Sequence, residues 1–234
     1  MFVFLTIYLS SVGIETDRFN NQIKKRISLI NKEIDIDLKK IKLTLDPFKL
    51  KLYAKTVGAT VFFSKRPLAL ESIKTQVSLN SLIKNKISSS NIEVTTKSIL
   101  LKDLIKFIRT TNNKPELFLL EKIIKKGHVI IDLSLNIDEN GKLKKDYVIE
   151  GLIKDASINF LNKANFSNIN FNFNFQKDNY QFDEINFNAE EVNFISKKLN
   201  IKKKKNSFLI DAIVENNQSS LNSNILKLLN LSFE

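Results

Sequence analysis

Residues 170–175 read NFNFNF, an unbroken alternation of asparagine and phenylalanine. Successive side chains of a β-strand point to opposite faces of a sheet, so this segment predicts a strand with one dry face and one wet face. Phe171, Phe173 and Phe175 would share the dry face. If that face of the sheet is left open, we expect protein to pack these rings only partly.

The same alternation continues from this strand in both directions along the chain. Downstream, Tyr180, Phe182, Ile185 and Phe187 alternate with polar residues, with a change of parity at Asp183-Glu184. Further strands are predicted over residues 34–38, 41–45, 48–54, 60–63, 68–70, 73–79, 129–137, 147–160 and 208–214, with a bulge where the parity switches between Leu38 and Ile41 and a hairpin turn at Asn140-Gly141.

These strands predict a mainly β protein built on a long antiparallel sheet. Nearly every strand has one apolar and one polar face, which is typical of antiparallel sheets and not of the continuous apolar runs in parallel ones. The few predicted helical interruptions cover residues 81–85, 101–109, 115–126 and 221–231. A polar stretch, residues 110–114, is the predicted soft joint of the body.

The composition excludes several classes of site. The chain has 234 residues, no cysteine and one histidine, so disulfides, thiolate chemistry and paired-histidine metal sites are absent. Lone His128 has no second histidine to share a metal, and the calcium-loop pattern that begins at Asn136 has Tyr147 where a glutamate is required. Adjacent carboxylates such as Asp183-Glu184 would point to opposite faces of a strand. The sequence therefore predicts no enzyme, cofactor or metal site.

The net charge of +12 has one concentrated source, the lysine run at 197–198 and 202–205. A solvated loop or strand end and a contact with phospholipid headgroups are both open interpretations. A nucleic-acid partner is not expected, because the phenylalanines alternate with asparagines instead of lying among the lysines as stacking platforms.

The first 31 residues differ from the body. Residues 1–14 carry no charge but fall short of the roughly 20 residues of a bilayer span. They are interpreted as the remnant of a signal-anchor, as an interfacial segment or as a buried strand. Residues 15–31 predict an amphipathic helix with Thr16 as its N-cap. Its basic residues Lys24, Lys25 and Arg26 belong either to an ordinary capping helix or to a helix beside anionic headgroups.

Four segments resemble the AsmA-like family of bacterial envelope proteins, which includes relatives of TamB and YhdP. They are ETDRFNNQIKK at 15–25, IDIDLKKIKLTLDPFKLKLYAKT at 34–56, PLALESIKTQVSLNSLI at 67–83 and GLIKDASI at 151–158. The resemblance implies a curled, chorein-like sheet that forms an open groove and holds the acyl chains of phospholipids. It also implies a single N-terminal anchor in the bacterial inner membrane, with the bulk of the chain in the periplasm.

On this reading the chain divides into an anchor remnant (1–14), a helix (15–31), an AsmA-like β region (32–110) and a continuing β region with a C-terminal helix (111–234). The expected groove-lining residues are Leu43, Leu45, Leu50, Leu52, Val129, Ile131, Leu133, Leu135, Phe171, Phe173, Phe175, Ile185 and Phe187. The predicted function is lipid binding or lipid transfer in envelope biogenesis, with envelope proteins or an oligomer as further partners. Two alternatives stay open: an assembly factor that binds proteins by sheet-edge pairing, and an unrelated soluble basic β-sandwich.

Overall fold

The computed structural model describes residues 2–30, 32–78, 91–111, 114–138, 144–160, 164–189, 192–205 and 207–216. The protein is mainly β, with 64% of residues in strands of one large antiparallel sheet. An N-terminal helix and a few short helices complete it, so the predicted fold class is confirmed. The helices are α1 (Phe2–Ser11), α2 (Asn20–Ile30), α3 (Leu101–Thr111) and α4 (Pro115–Ile123).

The strands are β1 (Ile14–Thr16), β2 (Ile34–Asp37), β3 (Ile41–Asp46), β4 (Lys51–Val57), β5 (Thr60–Phe63), β6 (Arg66–Ser78), β7 (Asn91–Thr96), β8 (Ile99–Leu100), β9 (Ile124–Asn136), β10 (Val148–Phe160), β11 (Ala164–Gln176), β12 (Asn179–Ala189), β13 (Val192–Lys204) and β14 (Ser207–Ala212). Their order in the sheet is β1-β3-β4-β6-β7-β9-β10-β11-β12-β13-β14. In addition, β5 pairs with β2 and β6, and β8 pairs with β9.

The chain folds as two compact units. The first unit contains residues 1–97 and 131–149, and the second contains residues 98–130 and 150–234. The predicted joint at residues 110–114 falls within the range of the second unit, and the predicted four-part division stays a prediction.

In the first unit, the long strand β6 belongs to two strand ladders. Its first part pairs with β5, which pairs in turn with β2, and its later part lies between β4 and β7. Helix α2 packs on β2. The buried residues Ile36, Ala59, Phe63 and Leu70 form the core at this end of the unit.

In the second unit, helices α3 and α4 form a helical hairpin beside the sheet. Ile105 of α3, Ile123 of α4 and Ile124 of β9 form one buried cluster, against which Leu101 and Ile158 pack. An ion pair between Arg109 and Glu121 joins the two helices. Both helices were predicted, although α4 ends at Ile123 because residues 124–126 are already part of β9.

Three local predictions were wrong for identifiable reasons. The parity switch between Leu38 and Ile41 is no bulge, because β2 and β3 are separate strands with different partners. Thr16 does not cap a helix: it ends β1, and α2 begins only at Asn20. The predicted strands at 68–70 and 73–79 belong, over the described residues up to Ser78, to a single strand, β6.

A fourth error concerns Phe48 and Leu50, which were predicted as the beginning of a strand but lie in the turn between β3 and β4. The Asp46 carboxylate accepts hydrogen bonds from the backbone N–H groups of Phe48 and Lys49, and Leu50 adopts a positive φ of 49°. Phe48 and Leu50 are therefore exposed turn residues. The predicted helices at 81–85 and 221–231 and the Asn140-Gly141 turn lie outside the described residues.

Candidate lipid-contacting face

The phenylalanines of β11 form an aromatic cluster with the next strand of the second unit. Phe173 lies directly opposite Phe182, and Phe175 lies opposite Tyr180. The ring centroids of Phe173 and Phe175 are 4.9 Å apart, and Phe182 lies 5.6 Å from Phe171 and 5.4 Å from Phe175. These offset and edge-on arrangements are the favourable ones for aromatic pairs. The shared face predicted from the NFNFNF alternation is confirmed.

The register carries this apolar face outward over β13 to the edge strand β14. Phe182 faces Leu199, which in turn faces Ala212, and Tyr180 faces Ile201, which in turn faces Ile210. We call the side chains on this side of β11–β14 the apolar face of the second unit. The sequence analysis missed Leu199, Ile201 and Ile210, although their alternation with polar residues was visible.

Pairs of adjacent polar residues, one pair in each of the strands β9 to β13, keep this face on one side along the strands. In each of five strands, two polar residues separate apolar positions that would otherwise alternate strictly: Lys125-Lys126, Lys154-Asp155, Ser167-Asn168, Asp183-Glu184 and Lys197-Lys198. Asp155, Asn168 and Glu184 have positive φ values of 51°, 51° and 54°. The parity change predicted at Asp183-Glu184 is thus one of five such polar pairs.

Because Asp183 and Glu184 change the parity of β12, the predicted residues Ile185 and Phe187 stay on the same side as the aromatic cluster. Phe187 stacks on Phe194 of β13 with 5.4 Å between ring centroids and lies 6.1 Å from Phe166 of β11. Ala156, Ile169 and Val192 of the neighbouring strands are buried.

Exposure of the apolar face rises toward the sheet edge. Phe173 at its centre is only 7% exposed, which corrects the expectation that this ring would be partly packed. At the edge, Phe208 and Ile210 are 62% and 63% exposed. An apolar surface that remains open to water at one side of a sheet can accept an apolar ligand.

The first unit has its own apolar face. One row across it joins Leu43, Ala54, Thr75, Ile92 and Leu135, and the next joins Leu45, Leu52 and Val77. Leu43, Leu45, Leu52, Leu133 and Leu135 are half-buried, as are Ile131 and Ile92. Most of the predicted groove residues of this unit therefore share one face.

Two predicted groove residues do not fit that role. Leu50 lies in the turn before β4 and belongs to neither face. Val129 of the second unit is only 2% exposed, so it is a core residue and not part of an exposed apolar face.

The predicted membrane-proximal basic residues have different surroundings. The Nζ atom of Lys24 lies 3.1 Å from a carboxylate oxygen of Asp35, which ties α2 to β2. The hydrogen bond from Lys24 holds the pKa of the Asp35 carboxyl below its ordinary value. Lys25 is exposed, and the Arg26 side chain lies outside the described part of the chain.

Helix α1 exposes large apolar side chains. Phe4 is 80% exposed, and Ile7, Tyr8 and Val12 are more than half exposed. Among the residues that the structure describes, no helix combines the length and apolar character needed to cross a membrane. Residues 2–11, interpreted from the sequence in three ways, are thus a short helix with an exposed apolar surface.

The remaining candidate residues from the sequence do not come together in a catalytic or metal-binding site among the described residues. His128 shares a cavity of about 280 Å³ with Ser98, Lys154 and Asp155, without a recorded hydrogen bond among them. Within the described ranges, no group of three His, Cys, Asp or Glu side chains could hold a metal ion. The later part of the lysine run, Lys202–Lys204, lies at the end of β13 and pairs with β14, as the strand-end interpretation expects, whereas Lys197 and Lys198 lie inside β13.

Comparison of the chain with models of protein families, with curated proteins and with solved structures finds no match.

Proposed function

We propose that this chain is a lipid-binding protein of the bacterial cell envelope that holds acyl chains against its apolar sheet faces. The main support for this proposal is the exposure of Phe208 and Ile210, which continue the aromatic cluster of β11 and β12 to the sheet edge. Leaving such surface in water costs about 25 cal/mol for each Å² of apolar area, so a ligand that covers it gains binding energy.

The chemistry of the face favours an alkyl chain over a polar ligand. Its exposed side chains offer carbon surface, and the buried hydroxyl of Ser196 already donates to the Lys198 carbonyl at 3.2 Å. An unbranched acyl chain makes no demand for hydrogen bonds and adapts to an uneven surface of rings and branched side chains.

Two further features support a location at a membrane. Helix α1 presents exposed apolar side chains, and the chain carries a net charge of +12, which attracts anionic headgroups. Together with the AsmA-like resemblance, they favour a periplasmic protein held at the inner membrane by its N-terminus. In this role it would bind or transfer phospholipid during outer-membrane or envelope biogenesis.

The test is mass spectrometry of lipids extracted from the purified protein, with two variants of one strand. Ile210→Asp places a carboxylate on the apolar face at an exposed position, and it should remove most of the bound lipid without unfolding the sheet. Leu209→Asp is the matched control, because Leu209 is 50% exposed on the opposite face of β14 and lies across from Lys202. Absence of lipid from the wild type, or equal loss in both variants, would contradict the proposal.

A second candidate function is protein binding by strand addition at β14. All six of its side chains are exposed, and β13 is its only strand partner among the described residues. An edge of this kind can accept another strand through backbone hydrogen bonds. The same preparation distinguishes the two functions, because a bound protein would persist in Ile210→Asp and would be lost when proline replaces Leu209 or Ile210.

A further inference from the structure

The polar face of the first unit carries a cavity of about 310 Å³ that the lipid proposal does not use. It lies over two adjacent rows of side chains that cross the sheet. One row joins Thr44, Tyr53, Gln76 and Asn91, and the other joins Lys42, Lys55, Lys74 and Glu93. All of these residues except Lys42 line the cavity.

The second row places three lysine residues at directly opposed positions on neighbouring strands. Lys55 lies directly opposite Lys42 on one neighbouring strand and Lys74 on the other. Neighbouring strands are only about 4.8 Å apart, and like charges directly opposite each other destabilise a sheet. Glu93 neutralises one end of the row, with 3.9 Å between its carboxylate and Lys74 Nζ. An anion bound beside Lys55 would relieve the remaining repulsion.

The first row supplies hydrogen-bonding groups instead of charges. The Asn91 side-chain oxygen is buried and has no hydrogen-bond partner among the residues that the structure describes. A buried polar atom without a partner costs free energy unless a ligand or water satisfies it. The Tyr53 hydroxyl, the Thr44 hydroxyl and the Gln76 amide stand in the same row, so hydroxyl groups of a ligand would find both donors and acceptors.

We propose that this cavity binds a phosphorylated polyol, with the phosphate at Lys55 and Lys74 and the hydroxyl groups along Tyr53, Gln76 and Asn91. The cavity is at the small end of the volumes of about 300–1,000 Å³ found for ligand pockets, which suits one sugar phosphate or glycerophosphate. The same chemistry occurs in free metabolites and in phospholipid or glycolipid headgroups. The proposal stands apart from acyl-chain binding, because it uses the opposite face of the sheet.

The experiment is isothermal titration of the full chain with glycerol 3-phosphate and glucose 6-phosphate, beside inorganic phosphate and glucose as partial ligands. Saturable binding of a phosphorylated polyol, tighter than either partial ligand, is the expected result. Lys55→Met should weaken it about tenfold, the effect of one charge-assisted hydrogen bond. Lys97→Met is the matched control, since Lys97 is an exposed lysine of the same unit that does not line the cavity.

Vesicles that contain phosphatidylglycerol distinguish the two sources of the ligand. Loss of vesicle binding in Lys55→Met but not in Lys97→Met identifies a headgroup, whereas binding of the free compounds alone identifies a soluble metabolite. The proposal is overturned if no phosphorylated compound binds, if inorganic phosphate binds as tightly as the polyols, or if the two lysine variants behave alike. Asn91→Ala keeps both charges and should weaken polyol binding without changing the affinity for inorganic phosphate.

Discussion

At the scale of single residues, one glycine allows the aromatic cluster to approach the neighbouring strand. A Cβ atom at Gly151 of β10 would overlap the carbonyl oxygen of Ile130 and the ring of Phe173. Phe173 is the most enclosed ring of the NFNFNF segment because β10 presents no side chain beneath it. The close packing at the centre of the apolar face therefore depends on a residue that contributes no contact surface of its own.

Gly151→Ala should destabilise the protein by about 1–3 kcal/mol, the usual cost of forcing extra volume into a packed site. Equilibrium unfolding in urea, followed by circular dichroism, would measure the loss. Gly58→Ala serves as a comparison, because a Cβ atom at Gly58 has free space and suffers only from the positive φ of 70°. A Gly151→Ala protein as stable as the wild type would contradict the packing described for Phe173.

The Lys24–Asp35 pair predicts a pH effect on the attachment of α2. The folded-state pKa of Asp35 is lowered by the hydrogen bond from Lys24, so the pair stabilises the fold at pH values above the ordinary aspartate pKa. This contribution is lost as the pH falls through the lowered folded pKa. NMR titration should show the Asp35 carboxyl titrating below the usual range in the wild type and shifting upward in Lys24→Met. An unchanged titration in the variant would rule out Lys24 as the cause.

At the scale of elements, the polar pairs in strands β9 to β13 determine which side chains share a face. In a strand without bulges, Ile169 and Phe166 would point to opposite sides, because three positions separate them. The two intervening residues, Ser167 and Asn168, restore them to one side, and Asn168 does so with a φ of 51°. Asp155 of β10 and Glu184 of β12 also have positive φ values, and the pairing of β11 with β12 shifts register between Ser167 and Asn170 and again between Asn170 and Asn172.

Substitution by glycine tests this geometry on β10. Asp155→Gly should be neutral or slightly stabilising, because it relieves the cost of about 1–2 kcal/mol for an L-residue in the left-handed region. Ser157→Gly, two positions along the same strand, should cost about 0.5–1 kcal/mol through lost conformational restriction. Thermal denaturation of both variants would measure the difference, and equal destabilisation would mean that Asp155 has ordinary strand geometry.

Strand alternation was sufficient to predict the fold class and most of the elements, since a period of two is visible in single residues such as Phe171, Phe173 and Phe175. It could not predict which strands are neighbours. Leu38 and Ile41 show the same change of parity as Phe182 and Ile185, yet the first marks a passage between two strands and the second a bulge within one. The two cases can be distinguished only by the strands with which each segment pairs, and those strands are distant in the sequence.

The candidate sites were predicted unevenly for the same reason. Leu43, Leu52 and Leu135 could be assigned to one apolar face from local alternation alone. The lysine row needed the register of β3, β4 and β6, because Lys42, Lys55 and Lys74 are far apart along the chain. Leu50 continued the alternation but belongs to a turn, where the Asp46 carboxylate directs the backbone.

At the scale of the whole molecule, the proposed function predicts two independent contributions to membrane binding. The net charge of +12 attracts anionic lipids over a distance of about one Debye length, roughly 10 Å at 0.1 M salt. The exposed side chains of α1 contribute a short-range apolar contact that salt does not screen. Changing the salt concentration and the α1 sequence should therefore separate the two contributions.

Sedimentation with vesicles of anionic and neutral lipids provides that separation. Raising the salt from about 0.05 M to about 0.5 M shortens the Debye length several-fold, so binding to anionic vesicles should fall to the level measured with neutral ones. The double substitution Phe4→Ser and Ile7→Ser should remove this residual binding, because it takes two exposed apolar side chains from α1. Val57→Ser is the control, since Val57 is an exposed apolar residue of β4. If the double variant sediments like the wild type at high salt, α1 does not contact the membrane, and the attraction is electrostatic alone.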